Sequence, residues 1–237
     1  MLADDPDDQL VTSTLTVSRF KQAEAMLLQG ETDKAFSIAR EADSRAAKSF
    51  QTDPADPILL EDAANAATIL AKAALQSGNL VQAGTAADRA LALSERLAAV
   101  DRSIPKWNGV MLGQARLLAY TIRARRASGQ ACRRALAPVE SESIRLDALF
   151  SADRSNLKLG LVTARSQIMR ADLSALSGDF TTAEAGWRKA AATLTSAYRT
   201  GGPIRDPAGL RLMEQIQQRQ SMPRAAFLVG TSAGICR

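Results

Sequence analysis

Two short motifs in the chain have the residue types that nucleophilic catalysis uses. Residues 230–234, GTSAG, fit the G-x-S-x-G pattern of a nucleophile elbow, and Ser155 and Lys158 fit an S-x-x-K pair. The elbow needs a preceding strand, a following helix and a histidine base, and the chain contains no histidine. The S-x-x-K pair lacks the K-T-G and S-D-N motifs that accompany it in enzymes, and Ser155 is better explained as a helix cap. We therefore expect neither motif to be catalytic.

The missing histidine also excludes imidazole acid–base chemistry and histidine-bearing zinc sites. The sequence has no P-loop, no G-x-G-x-x-G motif and no EF-hand loop. Four aspartates between residues 4 and 8 could bind a cation weakly, but a solvated terminal segment is the better explanation. We predict that the protein is not an enzyme and has no metal and no cofactor.

The two cysteines, Cys132 and Cys236, are far apart and have no C-x-x-C spacing. Two explanations are open. Both thiols are unpaired, or a disulfide joins the C-terminal tail to the third of the repeats described below.

The net charge of +5 is distributed unevenly. Residues 1–100 contain nine Lys/Arg and 15 Asp/Glu, a balance of −6, whereas residues 101–237 contain 21 and ten, a balance of +11. Three of the arginines, Arg116, Arg123 and Arg126, are spaced seven and three apart, which places them on one face of a helix. Basic residues are not interleaved with aromatic residues, which disfavours nucleic acid as the partner.

Composition predicts an all-α fold. The chain is 46% hydrophobic but only 4% aromatic, and alanine and leucine, both strong helix formers, dominate the apolar residues. No run of 18 apolar residues exists, so we expect no membrane insertion. The N-terminus lacks the features of a signal peptide. We therefore expect a cytoplasmic protein by default, or a periplasmic protein if the chain is a mature or excised segment. The Ala/Arg-rich, Lys-poor composition is typical of bacterial proteins.

Helix-breaking glycines recur along the chain at a nearly constant period. Gly30, Gly78, Gly129 and Gly178 are separated by 48, 51 and 49 residues. A second marker, a three-residue segment with aspartate at its centre, lies between these glycines. Its sequences are TDP at residues 52–54, VDR at 100–102 and ADR at 152–154, and they are separated by 48 and 52 residues. Two markers with one period predict four helical pairs. The predicted helices span residues 9–29, 32–50, 56–77, 79–100, 103–127, 130–150, 155–177 and 179–200.

The turn at residues 78–82 shows how each pair is joined. Gly78 can adopt the left-handed conformation that ends a helix, Asn79 can cap the next helix, and Gln82 completes a capping-box-like pair. After the fourth pair, a shorter helix at residues 207–220 is predicted to cover the last apolar face of the array. The residues expected to do so are Leu210, Leu212, Met213 and Ile216.

These pairs resemble tetratricopeptide repeats. In that family the second helix of each pair follows a Gly-Asp/Asn turn and carries small residues five and twelve positions after the glycine. Three of the four pairs match at both positions, whereas Gly129 is followed by Arg134, so the third repeat is degenerate or shifted. The period of about 49 exceeds the family's 34 and suggests an extended bacterial variant. The matching residues, which we expect to pack the repeats, are Gly30, Ala35, Ala42, Gly78, Ala83, Ala90, Gly178, Ala183 and Ala190.

The resemblance implies a right-handed α-solenoid of about four antiparallel helical hairpins plus a C-terminal capping helix. It covers residues 10–200, preceded by an acidic flexible N-terminus (1–9) and followed by the capping helix and tail (201–237). It further implies a protein-binding scaffold, adaptor or sensor module, with the first helix of each pair lining a concave groove. Chains of this kind often belong to signalling proteins that carry a kinase, cyclase or DNA-binding domain.

The residues that the resemblance places in the groove are mostly basic and predict an acidic or extended protein segment as the ligand. A solvated arginine face without a ligand is the alternative. The other functions to consider are self-association through the repeats and, less favoured, a nucleic-acid or small-ligand sensor. The expected groove residues are Asn65, Lys72, Arg116, Arg123, Arg126 and Arg165.

Overall fold

The computed structural model describes residues 9–201 and 206–223, and within these ranges the chain is helical and has no strand. The predicted all-α class is therefore confirmed. The acidic N-terminal segment, the GTSAG motif and Cys236 lie outside the described residues. The helices are α1 (Gln9–Gln29), α2 (Thr32–Thr52), α3 (Pro57–Gln76), α4 (Leu80–Val100), a π-helical turn (Lys106–Met111), α5 (Leu112–Arg125), α6 (Gly129–Leu136), α7 (Pro138–Ala152), α8 (Leu157–Leu176), α9 (Phe180–Gly201) and α10 (Pro207–Ser221).

The chain divides into two compact units, and the boundary between Ile122 and Arg123 falls within α5. In the first unit α1 packs on α2 and α3, α2 on α3, α3 on α4, and α4 on the π-helical turn. In the second unit α7 packs on α8, α8 on α9, and α10 on both α8 and α9. That the repeats form one continuous domain over residues 10–200 stays a prediction.

Left-handed glycines end the first helix of three pairs. Gly30, Gly78 and Gly178 have φ values of 82°, 78° and 89°. At the second turn the amide of Asn79 donates to the carbonyl of Ala74 at 2.9 Å, which satisfies a carbonyl that the helix end would otherwise leave unpaired. Asn79 then accepts a bond from the amide of Gln82 at 3.1 Å, so the predicted cap is confirmed.

The second sequence marker is also a turn device. Asp53, Asp101 and Asp153 each end a second helix, and the Oδ1 of each accepts a hydrogen bond from the backbone amide two residues later. Hydrogen bonds from the amide and hydroxyl of Ser103 hold the pKa of Asp101 below its usual value. Ser155 bonds to Asp153 in the same manner, and the cap of α8 is Asn156, not Ser155 as expected.

Buried residues show the register of all four repeats. On each second helix four small or apolar residues recur with spacings of four, three and four, and the six alanines of the tetratricopeptide-like pattern have no exposed surface. The third repeat keeps this pattern two residues earlier than Gly129 predicts, so Arg134 and Ser141, which lie five and twelve beyond the glycine, are exposed. The third repeat is thus shifted. The four sets are Ala35, Ala39, Ala42, Ala46; Ala83, Ala87, Ala90, Ser94; Cys132, Leu136, Val139, Ser143; and Ala183, Trp187, Ala190, Leu194.

Two predicted helices are interrupted. The helix predicted over residues 103–127 begins as a π-helical turn at Lys106 and ends at Arg125. The helix predicted over residues 130–150 divides into α6 and α7 at Ala137, because Pro138 has no amide hydrogen and its ring clashes with the preceding turn. The sequence prediction of two continuous helices is therefore wrong at these two points.

Helix α10 covers the end of the second unit. Leu212 and Ile216 are buried and Met213 packs beside them, as predicted, but Leu210 is 43% exposed and takes no part. The backbone at Gly209 lies so close to Tyr198 that a Cβ there would be 1.5 Å from the phenolic oxygen. This contact fixes the start of α10 on α9.

Candidate interaction surface

Helix α3 leaves one narrow line of side chains in contact with solvent. Between Leu59 and Ala74 every residue is buried except Glu61, Asn65 and Lys72, which are partly exposed. Their spacing of four and seven puts them on one face of the helix. Two of the three, Asn65 and Lys72, are predicted groove residues. We missed Glu61, although its spacing of four from Asn65 is a signal that the sequence contains.

The exposed residues of α3 contact the next repeat through Glu61. The indole Nε1 of Trp107 donates to Glu61 Oε2 at 2.7 Å, and the ammonium group of Lys106 pairs with the same carboxylate. Trp107 and Lys106 lie in the π-helical turn. The polar line of α3 therefore continues onto the segment that precedes α5.

Helix α8 is the counterpart of α3 in the second unit. Both helices are 20 residues long, and both end two residues before a left-handed glycine. These glycines, Gly78 and Gly178, are 100 residues apart in the chain. By this offset Leu161, Arg165 and Asp172 correspond to Glu61, Asn65 and Lys72. Leu161 and Arg165 reach solvent, whereas Asp172 is buried by α10.

Arg165 is the most distinctive cation of the surface. Its side chain is exposed on α8, yet desolvation by the surrounding protein lowers the pKa of its guanidinium. Arginine is so basic that the group stays cationic at neutral pH. No hydrogen bond or ion pair involves Arg165 within the described part of the chain. Such a charge can form a charge-assisted hydrogen bond with an incoming carboxylate.

The three arginines around α5 do not form the single helical stripe that their spacing predicts. Arg116 is only 27% exposed and lies 3.6 Å from Glu95 of α4, so its charge is partly balanced within the fold. Arg123 is exposed in the last turn of α5. Arg126 is exposed too, but it lies in the turn after the helix has ended at Arg125. That the six predicted residues line one groove stays a prediction.

Charge differs strongly between the two units. Residues 123–237 contain 18 Lys/Arg and nine Asp/Glu, a balance of +9, whereas residues 1–122 contain 12 and 16, a balance of −4. The four aspartates between residues 4 and 8 account for that deficit, so residues 9–122 are neutral. The positive field of the protein therefore belongs to the second unit.

No group of three potential metal ligands occurs within residues 9–201 and 206–223. Among the same residues, no helix is both long and apolar enough to cross a bilayer. Comparison with protein-family models, with curated proteins and with solved structures finds no match to this chain.

Proposed function

We propose that the chain is a tetratricopeptide-like α-solenoid that binds a protein or peptide segment along the exposed lines of its first helices. The observation that carries the proposal is the equivalence of α3 and α8. Each is buried along most of its surface and keeps polar or charged side chains in contact with solvent at corresponding positions, Asn65 and Arg165. On α3 the other positions between Leu59 and Ala74 are buried, so that helix offers a ligand only this line.

Polar contacts between alternate helices support the solenoid. Each joins helix n to helix n+2 within one unit, across 42 to 49 residues, which is about one repeat period. Stacked repeats place equivalent helices side by side, so contacts at one repeat length are what a solenoid requires. The five pairs are Ser13–Asp62, Asp43–Arg89, Glu61–Trp107, Asp147–Lys189 and Asp172–Arg219.

The ligand that best suits the second unit is an acidic segment. Its balance of +9 attracts anions over distances of about 8 Å at physiological salt, and the unpaired Arg165 gives the contact a defined position. In the first unit, the exposed residues of α3 include an amide at Asn65 and a cation at Lys72. This combination suits the backbone groups of an extended chain.

Binding of fluorescein-labelled peptides, measured by fluorescence anisotropy, tests the proposal. One peptide is a 12-residue Glu/Ala/Gly sequence, and a second has each Glu replaced by Lys. We expect the acidic peptide to bind, the basic one not to bind, and Arg165→Glu to weaken binding at least about tenfold. The double variant Arg123→Glu/Arg126→Glu should also lose binding.

Arg188→Glu is the matched control, because Arg188 is also exposed but lies on the second helix α9. Equal losses of peptide affinity in Arg165→Glu and Arg188→Glu would show that the peptide responds to net charge alone. That result would refute peptide binding along the exposed residues of α8. Light scattering at micromolar concentration separates the self-association alternative, which predicts a dimer without any peptide.

A further inference from the structure

The interface between α7 and α8 contains a series of polar contacts. The carboxylate of Glu140 accepts a bond from Arg170 at 3.0 Å, the hydroxyls of Ser143 and Ser166 are 3.3 Å apart, and the hydroxyl of Thr163 donates to the carbonyl of Leu146 at 3.3 Å. Residue numbers fall on one helix as they rise on the other, so the helices run antiparallel. One such contact occurs at about every helical turn.

A fourth contact leaves a polar atom unsatisfied. The Nε2 of Gln167 donates to Asp147 at 2.6 Å, and Asp147 also accepts a bond from Lys189 at 2.5 Å. Among the described residues, the buried Oε1 of Gln167 has no hydrogen-bond partner. A buried acceptor without a partner is destabilising, and it regains a hydrogen bond as soon as water enters.

The first unit supplies an internal comparison, because alanines occupy the matching positions of its equivalent interface. With the offset of one hundred between α3 and α8, alanines stand at residues 63, 66 and 67 where α8 has Thr163, Ser166 and Gln167. On the facing helix, Ala46 holds the register position of Ser143. All of these residues are buried, so the two interfaces differ in chemistry and not in solvent exposure.

The apolar cores of the two units reflect this difference. In the first unit one cluster includes buried residues of α1, α2, α3 and α4. In the second unit the cluster is built by α8, α9 and α10 only, and the buried Leu136, Val139 and Leu146 of α6 and α7 lie outside it. Helix α7 keeps one apolar contact with α8, because the ring of Phe150 lies against Gly160, but the contacts along the rest of the interface are polar.

We propose that the α7–α8 interface is a hinge between repeats, at which α6 and α7 separate from α8 more readily than α2 separates from α3. Opening an apolar interface exposes hydrocarbon to water, which is unfavourable. At the polar contacts between α7 and α8, opening instead exchanges protein hydrogen bonds for bonds to water, at a small net loss. Local opening of this kind occurs below the free energy of global unfolding.

Thiol labelling of the full chain tests the hinge directly. With the native cysteines kept in place and no reductant added, Ser166→Cys and Ala66→Cys each add one thiol, at equivalent and fully buried positions of the two interfaces. We expect the thiol at position 166 to react with a thiol reagent at least about tenfold faster than that at position 66, in native buffer. Equal rates, or both rates equal to that of global unfolding, would overturn the proposal.

Exchanging the facing residues between the interfaces tests the cause. Adding Ser143→Ala and Thr163→Ala to the Ser166→Cys variant should slow labelling, whereas adding Ala46→Ser and Ala63→Thr to the Ala66→Cys variant should speed it. Circular dichroism melts identify any variant that fails to fold, and that arm is then repeated with the single substitution Ser143→Ala or Ala46→Ser. Labelling rates that do not respond to these exchanges would also overturn the proposal, because the polar contacts would then not control opening.

Discussion

Arg219 and Asp172 form a bidentate ion pair that fastens α10 to α8. The guanidinium Nε lies 2.7 Å from Oδ1 and the Nη2 lies 2.8 Å from Oδ2, and the Asp172 side chain is only 2% exposed. The indole Nε1 of Trp187 donates a third bond to this carboxylate at 2.9 Å. One buried acid therefore connects α8, α9 and α10.

Arg219→Ala should lower the free energy of unfolding by about 3 kcal/mol, because it leaves a buried carboxylate without its counter-charge. Urea unfolding followed by circular dichroism measures the loss. Arg170→Ala is the control, since its ion pair with Glu140 is exposed, and it should cost less than about 1 kcal/mol. Similar values for both variants would contradict a special role for Asp172.

Gly209→Ala should disturb the start of α10. An added methyl group would overlap the phenolic oxygen of Tyr198, so the helix must move, at a cost of about 2 kcal/mol. The neighbouring Leu210→Ala, at an exposed position, should change stability by less than about 0.5 kcal/mol. If urea unfolding shows no difference between the two variants, α10 does not pack against Tyr198 as described.

Tyr198 should make stability depend on pH in the alkaline range. Burial, together with the charge and hydrogen bond of Asp206, raises the pKa of Tyr198 to about 12. In the unfolded chain the phenol ionises near pH 10, so the folded state holds the proton more tightly and stability falls as pH rises from 10 towards 12. The full effect is about 3 kcal/mol, since each pKa unit corresponds to about 1.4 kcal/mol.

The measurement compares urea unfolding of the native chain and of Tyr198→Phe at a series of pH values. The difference between them should be constant below pH 10 and should shift in favour of the variant above it. Tyr120→Phe removes the other phenol of the chain and therefore controls for the loss of a tyrosine hydroxyl as such. Parallel curves for Tyr198→Phe and the native chain would show that this phenol is not protected by the fold.

Cys132 should resist alkylation until a reductant is added. It is fully buried and is not a free thiol, and the only other cysteine is Cys236, which lies outside the described residues. A bridge closing a loop of about 100 residues stabilises a fold by about 4–5 kcal/mol in the chain-entropy model. Mass spectrometry of denatured, iodoacetamide-treated protein should show no adduct before reduction and two after it. An adduct at Cys132 without reduction would favour two unpaired thiols.

The sequence by itself determined the helical class, the repeat period and the turns. These depend on interactions within a few residues, such as the left-handed conformation of Gly78, the cap at Asn79 and the turn at Asp53, so residue type and spacing are enough to predict them. The groove residues proposed on α3, Asn65 and Lys72, came from the resemblance to tetratricopeptide repeats, and the helical period adds only that they share one face of the helix.

Only the tertiary structure decided what depends on residues far apart in the chain. Arg134 shows in the sequence that the third repeat departs from the pattern, but whether the repeat is degenerate or shifted depends on which side chains α6 and α7 bury. The pairing of Asp172 with Arg219 joins residues 47 positions apart, and the burial of that acid follows from the docking of α10. Local patterns can define each helix, but which faces meet is set by the packing of the whole unit.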